Sequence, residues 1–424
     1  MSCTVAVDEL SLGMYIHLDG GWLSHPFPLS SFRISSPEQI ATLRGLGLSH
    51  VRWVPEESDP PPSPASADAA AATPGVAAVA AAVPAEEQAA QHRRRQLAAQ
   101  REALLRCERQ FCEAAQVFGE VGGALAARPR HAGRTTEALA RAMLDKMPGS
   151  DEMGIRLVSG GGDRAASHAL NVSVVALLIG RALGLAEEDM LDLGVGALMH
   201  DIGKLDMADR YRHADERFTP AEWAVYREHV ARGVVHGRRM ALAPGAQAVL
   251  AQHHEHADGS GFPQHLAAER ICMAARIVAI IDRYDTLCNP ATRTAALTPH
   301  EAVATLFAQG RARFDPTVLN AFIRVVGVYP AGSLVQLTDD RHAMVVGVNS
   351  SRPLKPRVLV HDPQVPRNEA LIINLERAAD LGIRRSLPAA KVPVAALTYL
   401  DPRPRVSYYF EPLPRELQAE ELAA

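Results

Sequence analysis

The chain has 424 residues, 47% of them hydrophobic and 22% charged, with a formal net charge of -4 at pH 7, a composition typical of a folded protein of two or three domains. This charge gives no reason to expect binding to a nucleic acid polymer or to an anionic membrane. The five cysteines form no Cys-x-x-Cys pair, no segment resembles a signal peptide, and no apolar run reaches the roughly 18 residues of a membrane span, so we expect a cytoplasmic protein with reduced thiols.

Residues 1–55 predict a small α/β module. Short apolar runs near its start are typical of strands, and Ser36-Pro37-Glu38-Gln39 is typical of a helix start, with a capping serine and a glutamine that can complete a capping box. Residues 56–87 are rich in proline, alanine and serine and hold too few large apolar residues to form a core. We interpret this second segment as a flexible linker.

Three further regions follow the linker. Residues 88–150 predict two connecting helices. Between residues 151 and 328 the apolar pattern is helical throughout, which indicates an all-α bundle, a fold that often builds metal sites from several helices. Residues 329–424 change to short strand-like runs broken by turns and predict a strand-rich extension, in which we find no catalytic constellation. The predicted fold is therefore mainly α, with a small α/β module before the bundle and a strand-rich appendix after it.

One stretch of the helical region ends in a polar dyad. The apolar run from Gly194 leads into His200-Asp201, followed by a glycine and Lys204. A neutral imidazole beside a carboxylate suits divalent metals that prefer nitrogen and oxygen ligands, and Lys204, about one helical turn further on, is placed to meet a phosphate charge. A lone His-Asp pair at a helix end is more often just a hydrogen-bonded pair, so other residues must decide between the two interpretations.

Histidines and aspartates recur on otherwise apolar helical stretches. The set comprises His168, His200, Asp201, His229, His253, His254 and Asp282. A single buried histidine is more often a satisfied core residue than a ligand, but burying seven ionisable groups without a compensating ion would be costly. Seven ligands are too many for one catalytic zinc and suit two ions that share one carboxylate. Such a pair clamps the attacking and leaving oxygens in phosphoryl chemistry, which makes a phosphodiester the natural substrate.

This spaced set of residues also carries a family resemblance. Together with the run HHEHADGSGFP from His253 to Pro263, it resembles the HD-GYP subgroup of the HD phosphohydrolases over about residues 151–328. The plain HD superfamily needs only a histidine, the HD pair and a later aspartate, whereas His229, His253 and His254 extend the match beyond it. The N-terminal VDELSLGMYIHLDGGWLSHPF resembles a domain of unknown function that often precedes HD-GYP domains in bacteria.

The resemblance implies hydrolysis of cyclic di-GMP to linear pGpG, with GMP left open as a further product. It implies two divalent metals, iron or manganese, one held by His168, His200, Asp201 and Asp282 and the other by Asp201, His229, His253 and His254. Asp201 would bridge the two metals, a shared hydroxide would attack phosphorus in line, and Lys204 would neutralise the charge that develops on the phosphate oxygens. A signature loop would approach the nucleotide closely through its glycines; its residues are Asp258, Gly259, Gly261 and Pro263.

Four positions depart from the family pattern. Phe262 replaces the tyrosine that gives the subgroup its name, which keeps a ring but removes a hydroxyl. Arg164 stands where some members place a glutamate for a third metal, and we therefore predict two metals. A lysine-containing family stretch is replaced by His213 to Thr219, with Ala214 in it, and an R-P-Y-R pattern by Arg293-Thr294-Ala295-Ala296. The last two departures bear on substrate affinity more than on metal binding.

Three functions remain open on these grounds. The first is an active cyclic di-GMP phosphodiesterase. The second is a cyclic di-GMP-binding or protein-interaction signalling module with little turnover, and the third is a hydrolase of another phosphoester, such as pGpG or a different cyclic dinucleotide. The sequence predicts a cyclic dinucleotide as the small-molecule partner and leaves open a diguanylate cyclase or other signalling partner and a homodimer.

Overall fold

The computed structural model describes residues 3–18, 31–46, 48–55, 58, 85–147, 152–160, 163–291, 296–310, 312–349, 352–378 and 380–413. The chain divides into two units, Met1–Gln96 and Leu97–Ala424. Most of the predicted linker over 56–87 lies outside the described residues, and so do residues 293–295 of the departure that begins at Arg293.

The N-terminal unit, in its described part, holds one four-stranded antiparallel sheet, one complete α-helix and the start of a second helix that continues into the next unit. The elements are β1 (Cys3–Ala6), β2 (Tyr15–His17), β3 (Ser31–Arg33), α1 (Pro37–Gly45) and β4 (His50–Trp53), and the strand order is β1-β4-β2-β3. Ser36 caps α1 as predicted, because its side chain accepts a hydrogen bond from the Gln39 amide and the Gln39 side chain accepts one from the Ser36 amide. Buried Ile16, Leu43 and Val51 form part of a small core. The predicted α/β module is confirmed.

The second unit is dominated by helices. They are α2 (Ala85–Ala124), which begins before the division of the chain, α3 (Pro129–Asp145), α4 (Arg164–Ala182), α5 (Glu187–Met199), α6 (Pro220–Met240), α7 (Pro244–Gln252), α8 (Met273–Cys288), α9 (Pro299–Gln309), α10 (Pro316–Val326) and the short α11 (Val394–Leu400). Helices α4 to α8 pack against one another around a common apolar core, and α3 packs on α5 and α6. The predicted helical bundle is confirmed.

Helix α4 lies at the centre of this bundle. It contacts α5, α8 and α10, and Asp163 caps its first turn by accepting a hydrogen bond from the Ala166 amide. Among the described helices, α4 alone is long and apolar enough to cross a membrane, yet 72% of its apolar stretch is buried inside the structure. Its apolar character is therefore explained by its position in the core.

Strands of the second unit form a seven-stranded antiparallel sheet among the described residues. They are β5 (Glu152–Val158), β6 (Leu334–Leu337), β7 (His342–Asn349), β8 (Arg357–Val360), β9 (Ile372–Asn374), β10 (Ile383–Leu387) and β11 (Ser407–Leu413). The order is β10-β6-β7-β5-β11, with β8 paired to β7 and β9 paired to β8. Apolar residues that include Val335, Val345 and Val358 form its core. The predicted strand-rich C-terminal region is confirmed.

The expectation that residues 151–328 are helical throughout is wrong at the start of that range. Strand β5 pairs with β11 along its whole length, from Ser407 opposite Val158 onward, and with the end of β7. Residues 153 to 158 are all buried. Both partners of β5 follow the entire helical region in sequence, so no neighbouring hairpin signal marked it as a strand. The pairing places β11 directly beside α4.

Candidate metal centre

The seven predicted ligands lie on or at the ends of the five central helices. His168 lies near the start of α4, His229 inside α6 and Asp282 inside α8. Two pairs follow helix ends, with His200-Asp201 directly after α5 and His253-His254 directly after α7. Because these helices pack their apolar faces together, their few polar side chains meet at one place. The structure brings all seven residues together.

The ligand atoms form two groups of four that share one residue. The first group is His168, His200, Asp201 and Asp282, the second is Asp201, His229, His253 and His254, and within each group one ligand atom per residue lies within 4.8 Å of the others. This is the division that the family resemblance implied. The two oxygens of Asp201 face different groups, because Oδ2 lies 3.6 Å from His168 Nε2 and Oδ1 lies 3.6 Å from His229 Nε2.

Distances within the first group match those between ligands of one ion. His168 Nε2 lies 3.2 Å from His200 Nε2 and 3.3 Å from Asp282 Oδ1, and His200 Nε2 lies 3.5 Å from Asp201 Oδ2. Two ligand atoms each bonded at about 2.1 Å to one metal are about 3.0 to 3.4 Å apart at octahedral or tetrahedral angles. A small contraction around a cation would bring this group to bonding distance.

The second group is similar and more deeply enclosed. His254 Nε2 lies 3.0 Å from His229 Nε2, and His253 Nε2 lies 3.8 Å from Asp201 Oδ1. Asp201 Oδ1 and His253 Nε2 are buried and have no hydrogen-bond partner in the described part of the chain. Unpaired buried polar atoms are costly, and a cation between these two would satisfy both. Imidazole and carboxylate without thiolate suit divalent ions such as iron, manganese or zinc, so the residues fit the implied metals.

Four of the imidazoles are fixed through the nitrogen that faces away from the cluster. The Nδ1 contacts are His168 to Asp285 Oδ2 (2.7 Å), His200 to Ala197 O (2.8 Å), His229 to Tyr226 O (2.6 Å) and His253 to Leu250 O (3.1 Å). An Nδ1–H donated to an oxygen leaves Nε2 free as a ligand and fixes the orientation of the ring. The backbone of three of these helices therefore aims the ligand nitrogens before any metal binds.

Burial sets the charge of most of these imidazoles. It lowers the pKa of His229 to about 4 and that of His253 to about 3, and it also lowers the pKa values of His200 and His254. These four side chains are neutral at pH 7, the form that binds metals. His168 differs, because although burial lowers its pKa, hydrogen bonds to Asp282 and Asp285 outweigh burial and raise it to about 10. A metal that bound to the first group would therefore have to displace a proton from His168.

Lys204 lies against the shared carboxylate. Its Nζ is 2.5 Å from Asp201 Oδ2 and 5.5 Å from the centre of the Tyr226 ring. Burial raises the pKa of Asp201, but the ammonium of Lys204 and the neighbouring histidines outweigh burial and hold it well below its usual range. Gly203 lets the segment that carries Lys204 pack closely on α6, because a Cβ there would fall 2.0 Å from the carbonyl oxygen of His229. The structure thus places Lys204 beside the dyad, as predicted.

The signature loop supports one of the ligands. A Cβ on Gly261 would fall 2.4 Å from the carbonyl oxygen of His254, so only glycine fits there. The next amide, that of Phe262, donates a hydrogen bond to the same carbonyl (3.0 Å), and the Phe262 ring stacks on the His254 ring with centroids 4.6 Å apart. Buried Glu255 closes the loop by accepting hydrogen bonds from the amides of Gln264 and Leu266. The ring at position 262 therefore packs against one of the ligand side chains.

The remaining loop residues face outward. Asp258 and Pro263 are exposed, and Asp258 Oδ1 accepts a hydrogen bond from the Ser260 amide. Gly259 has a positive φ of 76°, with only the carbonyl oxygen of His265 near its Cβ position. The close approach of this loop to a nucleotide stays a prediction for Gly259, whereas packing against the protein accounts for Gly261.

Three polar residues behind His168 were missed by sequence reasoning. Asp285 is 2% exposed, and its Oδ1 accepts hydrogen bonds from Nδ2 of Asn171 (2.8 Å) and of Asn289 (2.9 Å), while its Oδ2 contacts His168. One available signal was spacing, because Asp285 follows Asp282 by three residues and so shares its helix face. Asn171 follows His168 at the same spacing.

Besides Phe262, two other departures from the family pattern fall wholly within the described chain. Arg164 Nη2 donates a hydrogen bond to the carbonyl oxygen of Asn289 (2.8 Å), so the position of the missing glutamate carries a cation that is bound to the backbone. His213 and Ala214 are exposed and lie in the segment between the dyad and α6.

Two family models match the chain. The model described as HD domain matches residues 125–318, and the model described as domain of unknown function DUF3391 matches residues 2–133. These matches confirm the HD domain and the N-terminal domain of unknown function that the motifs indicated. The DUF3391 match extends beyond the first 55 residues and includes α2, which sequence reasoning treated as a separate connecting helix.

Named relatives match over different shares of the chain. A cyclic di-GMP phosphodiesterase of Pseudomonas aeruginosa is 29% identical over 363 residues, 84% of each chain. A cyclic di-GMP phosphodiesterase response regulator of Xanthomonas campestris pv. campestris is 34% identical over 155 residues, 36% of this chain and 41% of the relative. A 3'3'-cGAMP-specific phosphodiesterase of Vibrio cholerae is 29% identical over 159 residues, 37% of this chain and 30% of the relative. The last two matches span less than half of those relatives.

Proposed function

We propose that this chain, which carries an HD domain behind a DUF3391 domain, is a metal-dependent phosphodiesterase that hydrolyses cyclic di-GMP to linear pGpG. One observation carries the proposal: the two oxygens of Asp201 face two separate groups of ligand atoms, each complete with three further side chains. The relative from Pseudomonas aeruginosa, which matches over most of both chains, supports the choice of substrate.

Two divalent ions, with iron or manganese as our choice, would be held by the two groups around Asp201. When bound, such ions lower the pKa of a coordinated water so that it can attack phosphorus, and they place positive charge against the phosphate. The chain supplies inward-facing imidazoles that are neutral at pH 7 and whose rings are oriented by backbone carbonyls, so little reorganisation is needed. We propose two metals and not three, because Arg164 places a cation where a third carboxylate ligand would be required.

Lys204 has a separate role in this proposal. In the metal-free protein its ammonium neutralises Asp201 across 2.5 Å. Once cations neutralise that carboxylate, the ammonium can turn to a non-bridging phosphate oxygen and stabilise the charge that develops there. Release of GMP as a further product stays open.

A different cyclic dinucleotide is the second candidate substrate. The relative named for 3'3'-cGAMP matches the helical domain, and the departures from His213 to Thr219 lie in the loop that follows the dyad. A metal pair fixes the type of reaction more firmly than it fixes the substrate.

Turnover measurements test the proposal. The protein is purified without oxygen, loaded with manganese or iron, and given cyclic di-GMP, 3'3'-cGAMP and pGpG in parallel, with Asp201→Ala as the control. We expect linearisation of cyclic di-GMP on the order of 10³-fold or more above the control. Turnover no faster than that of Asp201→Ala would end the proposal, tight binding without product would favour the signalling module, and faster turnover of another substrate would favour the second candidate.

Other parts of the functional description are further proposals. We propose a cytoplasmic location, because the substrate and the predicted reduced thiols both fit that compartment. A homodimer and a diguanylate cyclase partner stay predictions, which size-exclusion chromatography and co-purification would test.

A further inference from the structure

The metal ligand His168 is connected by hydrogen bonds to the backbone of the C-terminal strand. Its Nδ1 contacts Asp285 Oδ2, and Asp285 Oδ1 accepts from the side-chain amides of Asn171 and Asn289. The same two amide nitrogens also donate to the carbonyl oxygen of Val406, at 3.0 Å and 2.9 Å. Val406 directly precedes β11, so two side chains join the carboxylate to the strand.

Each of these asparagines makes three hydrogen bonds in the connection, two donated by its amide nitrogen and one accepted by its oxygen. The Oδ1 of Asn289 accepts from the Val406 amide (2.9 Å), and the Oδ1 of Asn171 accepts from the Tyr408 amide (3.0 Å). With both amide hydrogens donated and both oxygens engaged, neither side chain can rotate without losing several hydrogen bonds. A largely buried hydrogen-bond network of this kind holds its members rigidly.

The strand that anchors the network is itself held tightly. β11 pairs with β5 from Ser407 to Leu413. At its start, a Cβ on Gly332 would fall 2.7 Å from Val406 Cγ1 and a Cβ on Gly160 would fall 2.5 Å from Ser407 Oγ, so two chain segments pack closely against this point. The backbone at Val406 is therefore held in one position, and it fixes the side chains that hydrogen-bond to it.

His168 differs in this respect from the other anchored ligands. His200, His229 and His253 each contact a carbonyl oxygen three residues earlier in the chain, which their own helices provide. His168 instead contacts the carboxylate of Asp285 in α8. That carboxylate accepts a hydrogen bond from Asn171, which also binds the backbone at Val406. Since His168 belongs to only one of the two ligand groups, a change in this network should affect one group and leave the other intact.

We infer that Asn171 and Asn289 are positioning residues that fix Asp285, and through it His168, against the backbone of the C-terminal strand at Val406 and Tyr408. The strand-rich extension, which contributes none of the seven ligands, thereby sets the metal affinity of the group that contains His168. The inference on metal affinity rests on the proposed function, whereas the orientation of His168 does not depend on a metal.

Metal titration tests the affinity. Asn289→Ala is the main variant because Asn289 is only half-buried, and Asn171→Ala is the second. Tyr408→Phe is the matched control, since it removes the contact of its hydroxyl with that of Tyr284 (3.1 Å), another connection between α8 and β11, without touching Asp285. In the wild type we expect two manganese ions per chain. In both asparagine variants one of the two should bind about 10- to 100-fold more weakly, while Tyr408→Phe keeps both.

Two outcomes of the titration would overturn the inference. Either both ions bind the asparagine variants with wild-type affinity, or Tyr408→Phe loses the same affinity as they do. The second outcome would mean that any loosening of the strand weakens the site, without a specific role for the amides.

A measurement on metal-free protein separates this inference from the proposed function. The hydrogen-bonded Nδ1–H of His168 should give a low-field proton resonance that is absent from His168→Gln. We expect the resonance to persist in Tyr408→Phe and to shift upfield or vanish through exchange with water in Asn289→Ala. An unchanged resonance in Asn289→Ala would overturn the inference. The expected pattern in a chain that binds no metal would refute the proposed function and still support the positioning of His168.

Discussion

His253 Nε2 and Asp201 Oδ1 lie 3.8 Å apart inside the ligand cluster, and neither atom has a hydrogen-bond partner among the described residues. Two acceptor atoms that face each other without a proton or cation between them destabilise the folded state. Helix packing therefore holds the two acceptor atoms together although their interaction is unfavourable. The stability of the folded protein should thus depend strongly on divalent cations and on pH.

Divalent metals should stabilise the fold. Because the ligands are assembled only in the folded state, manganese or iron at 100 times its Kd should raise the free energy of unfolding by about 2.7 kcal/mol per site. Urea unfolding with and without metal measures this change. In Asp201→Ala, which lacks the shared ligand, most of the increase should disappear. A wild-type unfolding curve that does not respond to metal would contradict the assignment of the cluster as a metal centre.

Removing the charge of Lys204 should impair catalysis more than metal binding. Lys204→Met leaves all seven ligands in place, so we expect the metal content to stay near that of the wild type. The kcat should fall by about 10²-fold, as is usual when one donor to a developing phosphate charge is lost. Lys391→Met, at an exposed lysine, is the control and should be silent. Loss of metal from Lys204→Met would instead assign the lysine a role in assembling the site.

The metal-free protein should be most stable near pH 6.5. The pKa values of His229 (about 4) and His253 (about 3) are lowered from the ordinary 6.5, so the unfolded state binds more protons between about pH 4 and 6.5 and stability rises with pH there. The pKa of His168 is raised to about 10, so the stability that its protonated form contributes is lost as pH rises from about 6.5 to 10. Urea midpoints across this range measure both limbs. In His168→Gln the stability should no longer decrease at high pH, and an unchanged decrease would contradict the prediction.

The hydroxyl missing from Phe262 should matter less than its ring. The ring stacks on His254 at 4.6 Å, and the guanidinium of Arg227 lies 5.2 Å from its centre. Phe262→Tyr should therefore change kcat by no more than about threefold, whereas Phe262→Ala should lower activity by about tenfold or more because His254 loses the surface that orients it. Steady-state kinetics with a metal analysis of each variant checks both. A large gain in activity for Phe262→Tyr would show that the hydroxyl has a chemical role.

Gly203 should tolerate no side chain. A Cβ there would fall 2.0 Å from the carbonyl oxygen of His229 and 2.5 Å from the amide nitrogen of Gly233, so the segment after the dyad would have to move away from α6. We expect Gly203→Ala to destabilise the fold by about 1–3 kcal/mol and to weaken metal binding. Gly119→Ala in α2, where no atom lies within 4 Å of the Cβ position, should be neutral or slightly stabilising.

Much of the ligand cluster could be predicted because its signals are local. The apolar run from Gly194 indicated the last turns of α5 and the dyad that follows it. The other ligands were identifiable because each histidine stands out in an apolar helix, where an unpaired ionisable group would be costly. The helix cap at Ser36 was equally local, since all its hydrogen bonds join residues within four positions.

The hydrogen bonds and strand pairs that support the ligand cluster could not be predicted, because they join residues that are distant in sequence. Asn171 reaches Val406 and Tyr408, and β5 pairs with β7 and β11 across the whole helical region. A polar residue in an apolar helix does not indicate which backbone it will contact. The sequence of β5 is equally compatible with a short helix, since strand pairing that is not local leaves no periodic pattern in one short segment.

The pairing of β5 with β11 also affects how the protein forms in the cell. β5 is synthesised just before α4, yet it remains without β11 until translation has passed residue 413. All seven ligands, from His168 to Asp282, leave the ribosome well before that point. A nascent or prematurely terminated chain would therefore carry the complete ligand set while Asp285 and the two asparagines lack their backbone partner. Such long-range closure is slow compared with helix formation, and the incomplete sheet would expose strand edges that invite aggregation.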